Sequence, residues 1–189
     1  MGMKGSRQTI NQVRIIAGEW RGRKLTFPDA EGLRPTADRV RETVFNWLQP
    51  RIFGSNCLDL FAGTGAMGFE ALSRGAESVV MVEKSHRVVE AIHQNSQLLG
   101  ADAQRLKTIE ADAISWLENQ KQWAFDLVFI DPPYQSDLLD IALTRVAELS
   151  ATSRAKIYFE HAASQDINLP SGLTLLKEKK AGQVCYKLA

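Results

Sequence analysis

The sequence predicts an α/β fold. It is a doubly wound, mainly parallel sheet of seven strands with an antiparallel C-terminal hairpin, preceded by a small N-terminal hairpin-and-helix extension. Three observations carry this. From position 57, short apolar runs alternate with stretches of helical spacing, the rhythm of βαβ units with both sheet faces covered. The first run leads into a glycine-rich turn, Gly63-Thr64-Gly65, which opens a helix. The last two runs are joined across Lys179–Gly182, with no room for a crossover helix.

The elements run in order along the chain. Arg14 to Leu25 interleaves cations, glycines and apolar residues around Trp20, predicting a short β-hairpin that presents cations and an aromatic ring. Pro28 and residues 29–32 separate it from the first helix. Thr36 is a candidate N-cap for that helix, which has Val40, Val44, Trp47 and Leu48 at helical spacing, and Pro50 is expected to stop it. Strands are then expected at Cys57–Phe61, Ser78–Val82, Leu106–Glu110, Phe125–Ile130 and Ala155–Phe159. The intervening helices are Gly68–Arg74, Ser85–Leu99 ended by Gly100, Ile114–Gln120 and Leu138–Leu149. Leu173–Lys177 and Val184–Leu188 form the closing hairpin. Residues 1–51 are read as an extension and 52–189 as the body, packed as one unit.

Hydrophobic residues make up 44% and charged residues 24% of the 189, which excludes a disordered tail, a collagen-like repeat or a coiled-coil rod. Cys57 and Cys185 form no CxxC and the three histidines are scattered, so no metal site is expected. The cysteines read as buried residues of a reducing cytosol. No apolar run at the N-terminus has signal-peptide length, and none elsewhere reaches membrane-spanning length. A cytoplasmic protein without a membrane partner is expected. Net charge is +1, but residues 1–24 hold Lys4, Arg7, Arg14, Arg21, Arg23 and Lys24 against Glu19 alone. Such a basic arm on a slightly acidic body suits an anionic partner, the plain alternative being a solvated terminus.

The first chemical motif is Asp59-Leu60-Phe61-Ala62-Gly63-Thr64-Gly65-Ala66-Met67-Gly68, between a strand and a helix. Read literally, Gly63-x-Gly65-x-x-Gly68 matches a dinucleotide fingerprint, and it is also compatible with a purely structural turn. Asp59 argues against a pyrophosphate, because a carboxylate there suits a cationic group such as the amino end of an amino-acid ligand. Glu83, 20 residues after Gly63, ends the second strand, where an acid accepts from two ribose hydroxyls. Asp112, followed by Ala113, ends the third, where it either reaches an adenine amino group or caps the next helix.

The second motif is Asp131-Pro132-Pro133-Tyr134, directly after a strongly apolar strand. Consecutive prolines hold an extended turn without backbone donors. The Asp131 carboxylate and the Pro132 carbonyl are then two adjacent acceptors for a planar amino group, and Tyr134 offers a face on which a base stacks.

Together these residues resemble a class I S-adenosylmethionine-dependent amino-methyltransferase. The segments Arg14-Ile15-Ile16-Ala17-Gly18-x-Trp20-Arg21-Gly22-Arg23-Lys24-Leu25 and Arg34-Pro35-Thr36-x-Asp38-Arg39-Val40-Arg41-Glu42-Thr43-x-Phe45-Asn46 are similar to the RsmD type of bacterial enzyme. The resemblance runs from about Arg14 to Leu188. It implies methylation of the N2 amine of a guanine in 16S ribosomal RNA, in the assembled small subunit. It implies a Rossmann-like methyltransferase fold, S-adenosylmethionine as cofactor with S-adenosylhomocysteine as product, no metal, no DNA partner and a monomer. Asp59, Phe61, Ala62, Gly63, Gly65, Glu83, Asp112 and Ala113 would bind the cofactor. Asp131, Pro132, Pro133 and Tyr134 would be catalytic, and Arg14, Arg21, Arg23, Lys24, Arg39 and Arg41 would meet RNA. An adenine-N6 methyltransferase, a nicotinamide-dependent oxidoreductase and an RNA-binding module without catalysis are the alternatives.

Overall fold

Strands β3 (Asn56–Asp59), β4 (Ser78–Glu83), β5 (Leu106–Glu110), β6 (Leu127–Ile130) and β7 (Lys156–Ala162) run parallel. With the antiparallel β8 (Lys177–Ala181) and β9 (Val184–Leu188) they form one sheet, ordered β5-β4-β3-β6-β7-β9-β8. The computed structural model describes residues 10–28, 37–133 and 137–189. Every residue of β6 is buried, as a central strand covered on both faces requires. One face carries α1 (Asp38–Ile52), α2 (Ala66–Ser73) and α3 (His86–Leu99), packed on Met81, Phe129, Tyr158 and Tyr186. The other carries α4 (Ala113–Glu118) and α5 (Leu138–Leu149), packed on Leu58, Val82, Val128 and Phe159.

A hairpin of β1 (Ile10–Arg14) and β2 (Lys24–Pro28) adds a third layer over α2. This explains the composition of α2, whose eight residues are all buried and which has no polar face. Two of its residues hold the loop between β1 and β2. The Glu70 carboxylate accepts from the Ile16 and Ala17 amides at 2.8 and 3.0 Å. The Ser73 hydroxyl accepts from the Trp20 amide and donates to the Ala17 carbonyl, while the Ser73 carbonyl accepts from the Glu19 amide. Trp20 is therefore buried, with its ring edge-on to Phe69. The hairpin presents cations, but the expectation that it also presents its aromatic is corrected.

Several element boundaries shift from the sequence reading by one to three residues, and at α1 and β8 the difference has a physical reason. Helix α1 continues through Pro50 to Ile52, so Pro50 does not stop it, and the 51/52 boundary falls in its last turn. The strand expected at Leu173–Lys177 lies at Lys177–Ala181. The apolar run Leu173 to Leu176 looked like the strand, yet Leu175 and Leu176 are exposed. The paired segment is the lysine-rich Lys177–Ala181, whose charge suits an unprotected sheet edge.

Gly18 has φ +84, and a Cβ there would meet the Ser73 carbonyl oxygen at 1.8 Å. Gly22 has φ +81 with open space around it. Gly18→Ala should therefore cost at least about 2 kcal/mol more than Gly22→Ala, which carries only the left-handed backbone penalty of about 1–2 kcal/mol. Urea unfolding of the two variants checks this. Equal losses would mean that the loop is not held against α2.

Candidate active site at the strand C-terminal edge

The C-terminal ends of β5, β4, β3 and β6 share one edge of the sheet, and the chain order reverses between β3 and β6. Open α/β sheets take ligands in the crevice at such a reversal. Asp59 ends β3, Glu83 ends β4, Asp112 follows β5 and Asp131 follows β6, so the four acids meet at this edge. Asp59 pairs in register with Phe129, which places Asp131 two residues further along the neighbouring strand.

Asp59 is 4% exposed, and its Oδ2 accepts from the Gly68 amide at 3.0 Å. Burial pushes its carboxyl up to about 7; the Gly68 hydrogen bond opposes this and the charge of Glu83 adds to it. The loop between them turns at Gly63 (φ 50) and Gly65 (φ 74). A Cβ on Gly65 would sit 2.9 Å from the Phe69 ring, so this turn excludes side chains. Gly68 does a different job. Its Cβ would meet the Met81 methyl at 2.3 Å, so it lets α2 lie close on β4.

The Glu83 carboxylate accepts from the Gly63 amide at 3.0 Å and from the Ser85 amide at 2.8 Å, which ties β4 to the glycine loop. Phe61 is half-buried and Ala62 is buried in the same loop. Asp112 is the N-cap of α4, accepting from the Ser115 amide at 3.0 Å, and Ala113 is buried behind it. The helix-cap reading of Asp112 is therefore met by the geometry, with the carboxylate exposed at the edge. Asp131 is half-buried, Pro132 buried and Pro133 exposed. Tyr134 and the N-cap candidate Thr36 lie outside the described residues.

The sequence reading passed over Glu160. Ile130 pairs with Phe159, so Glu160 is level with Asp131 one strand away. It shares its face with Tyr158, whose hydroxyl donates to it, and it is 3% exposed. A lone carboxylate within the apolar run of β7 was the available signal. Neither cysteine is an activated nucleophile. Burial pushes the Cys57 thiol up to about 12, and Cys185 is also raised, first by burial.

Residues 13–189 match the family described as Conserved hypothetical protein 95. The chain is 45% identical to ribosomal RNA small subunit methyltransferase D of Haemophilus influenzae, over 94% of this chain and 93% of that one. The Escherichia coli K12 protein of the same name is 43% identical, over 94% and 89%. The chain belongs to the ribosomal RNA small subunit methyltransferase D family. The solved structure of the Escherichia coli protein yhhF superposes with a TM-score of 0.82 at 41% identity, covering 94% of this chain and 97% of that one.

Within this small subunit methyltransferase D relative, the cations singled out in the sequence fall into three groups. Arg41 is fully buried, so the expectation that it meets RNA is corrected. Its guanidinium donates to Asp38 and to the Arg14 carbonyl, and lies 3.7 Å from Glu70. Arg14 and Arg39 are exposed near the N-terminal end of α1, with Arg14 3.7 Å from Asp38. Arg21, Arg23 and Lys24 are exposed too, but Arg23 donates to the Leu98 carbonyl at the C-terminal end of α3. Their loop also binds Ser73 at the C-terminal end of α2. Both helices run back from the strand C-termini, so Arg21 and Arg23 lie toward the edge opposite Asp59 and Asp131, while Lys24 pairs in register with Arg14.

Asp59 gives the ligand-free protein a pH signature. Below about pH 4 the carboxyl is protonated folded and unfolded, and it costs nothing. Between its ordinary 3.8 and about 7, the unfolded chain ionises while the folded protein keeps the proton. Stability then falls as pH rises, by at most about 1.4 kcal/mol per unit, and levels off above 7. Asp59→Asn should gain stability over the parent across that window and hold the gain above it. Urea unfolding of both proteins from pH 4 to 8 checks this, and parallel curves would contradict it.

Proposed function

We propose that this protein transfers a methyl group from S-adenosylmethionine to the exocyclic N2 amine of a guanine in 16S ribosomal RNA, in the assembled small subunit. The observation that carries the reading is the place of Asp131-Pro132-Pro133. Two amine acceptors stand beside the Asp59 glycine loop at the reversal of the sheet. The curated relatives, named as small subunit ribosomal RNA methyltransferases, support the choice of substrate.

The edge fits the cofactor. The tight turn at Gly63 and Gly65, both in the left-handed region, keeps the loop backbone at the strand ends beside Asp59 and Glu83. The buried Asp59 carboxylate suits an ammonium group, which would favour its ionised form. Glu83 would hold ribose hydroxyls, Phe61, Ala62 and Ala113 would line the pocket, and Asp112 would accept from the adenine amine. When bound, the cofactor supplies a sulfonium methyl already activated for transfer.

The residues of this chain then act on the base. Guanine N2 is a poor nucleophile because its lone pair is delocalised into the ring. Asp131 and the Pro132 carbonyl would accept its two N–H groups, favouring a pyramidal nitrogen and stabilising the positive charge that develops there. Pro133 keeps the turn extended, and Tyr134 would stack the base once it leaves the RNA stack. Arg14, Arg21, Arg23, Lys24 and Arg39 would contact phosphates, which fix position without reading sequence. No helix among the described residues is long and apolar enough to cross a membrane, and the proposed substrate places the enzyme in the cytoplasm.

Two variants separate the roles. Asp131→Ala should lower kcat roughly 10²–10³-fold and leave S-adenosylhomocysteine affinity within twofold. Glu83→Ala should weaken that affinity at least tenfold, the loss of one charged hydrogen bond being worth about 1.5–3 kcal/mol. Calorimetry and single-turnover methyl transfer to small subunits read the two effects. A cofactor defect in Asp131→Ala with normal turnover at saturation would overturn the assignment.

A further inference from the structure

At the sheet edge opposite Asp59 and Asp131, an open cleft of about 380 Å³ lies where α1 ends, β3 and β6 begin and the chain enters β7. Its volume is at the small end of ligand pockets, roughly 300–1,000 Å³, and suits one nucleotide. Arg51, Phe53, Asp126, Ser153 and Arg154 line it. Arg51 and Arg154 are exposed, and neither makes an ion pair among the described residues. Lys156, at the start of β7, is held below the ordinary lysine range by partial burial and then by the charge of Arg51, so these two cations are within electrostatic reach. Asp126 already accepts from the Asn56 amide at 2.8 Å.

Phe53 stands at this cleft with 87% exposure. Its ring rests on Gly75, where a Cβ would approach within 2.8 Å, and the Gly54 amide donates to the Gly75 carbonyl. The chain thus holds an aromatic face out to solvent among unpaired cations. Arg21 and Arg23 lie toward the same edge, since their loop is fastened to the C-terminal ends of α2 and α3. Exposed aromatics with arginines are the combination that single-stranded nucleic acid recognises, a base on the ring and phosphates on the cations.

We infer that this cleft is a second RNA-binding site, in which Arg51 and Arg154 hold a backbone phosphate of ribosomal RNA and Phe53 stacks an unpaired base. The inference rests on the proposed RNA substrate. The cleft is remote from the reacting atoms, so it acts on docking and leaves the chemical step alone.

The test uses Arg51→Ala with Arg154→Ala, and separately Phe53→Ala and Phe53→Tyr. Binding to small ribosomal subunits is measured across salt concentrations, alongside methyl transfer, S-adenosylhomocysteine binding and titration with AMP. The double variant should flatten the slope of log affinity against log salt by about 0.7–0.9, the value for one phosphate contact. Its KM should rise at least tenfold with kcat and cofactor affinity within twofold. Phe53→Ala should weaken subunit binding roughly five- to a hundredfold, and Phe53→Tyr should restore it. An unchanged slope and KM in the double variant would overturn the inference. So would AMP binding that the double variant abolishes while its salt slope stays at the parent value, which would assign the cleft to free nucleotides. If the parent binds 16S RNA with the expected slope change in the double variant, yet methylates no subunit, the proposed function falls and the cleft stands.

Discussion

The parallel register of β5, β4, β3 and β6, with the chain order reversing between β3 and β6, is the constraint on which the rest depends. Parallel strands bring their C-terminal ends to one edge, and the reversal opens a crevice there because successive helices pack on opposite faces. Asp59, Glu83, Asp112 and Asp131 are spread over 73 positions of sequence, and only this register gathers them. Local hydrogen bonds then fix the details. Glu83 holds the Gly63 amide and Asp59 holds the Gly68 amide, so the two carboxylates shape the loop between them. The cost is a carboxyl buried at 4% exposure and pushed up to about 7. Such a group is stabilised by an opposing positive charge, which gives the edge a preference among ligands.

A second interaction fastens the basic extension to this frame. Glu70 on α2 accepts from two amides of the hairpin loop, and it pairs with Arg74 at 2.7 Å and Arg41 at 3.7 Å. Glu70 and Arg41 are both fully buried and each keeps a second ionic partner at 2.7 Å, Arg74 for Glu70 and Asp38 for Arg41, so the buried charges form one connected network. Because α2 also begins at the glycine loop, one eight-residue helix ties the hairpin to the site. The cations of the arm are therefore held at fixed positions, with Arg21 and Arg23 toward the edge away from Asp59 and Asp131.

Most of the architecture was legible because apolar periodicity and punctuation agreed. Leu106–Glu110, Leu138–Leu149 and Val184–Leu188 fall where the pattern puts them, and Gly100 closes α3 in the left-handed region. The acids at the strand ends were legible because strand ends are marked in sequence by the change from apolar to polar. What was misread turns on whether a polar residue faces a neighbour or solvent. Arg41 shares a helical stripe with Val44, Phe45, Leu48 and Ile52, all buried, and that stripe outweighed its charge. Glu70 stood in an otherwise apolar helix, which signals a buried partner but does not say which. Trp20 was read as presented because nothing local shows Phe69 beneath it. The edge strand at Lys177–Ala181 lacks the apolar pattern of a covered strand, since its own pairing and charge suffice.

The central claim is chemical: the edge built by Asp59, Glu83 and Asp131 methylates a guanine amine. The direct measurement is to incubate the protein with small ribosomal subunits and S-adenosylmethionine carrying a labelled methyl group. The 16S RNA is then digested and its nucleosides separated. The account predicts label in N2-methylguanosine and in no other nucleoside. Label in N6-methyladenosine, or none in the RNA while the cofactor is bound, would contradict it.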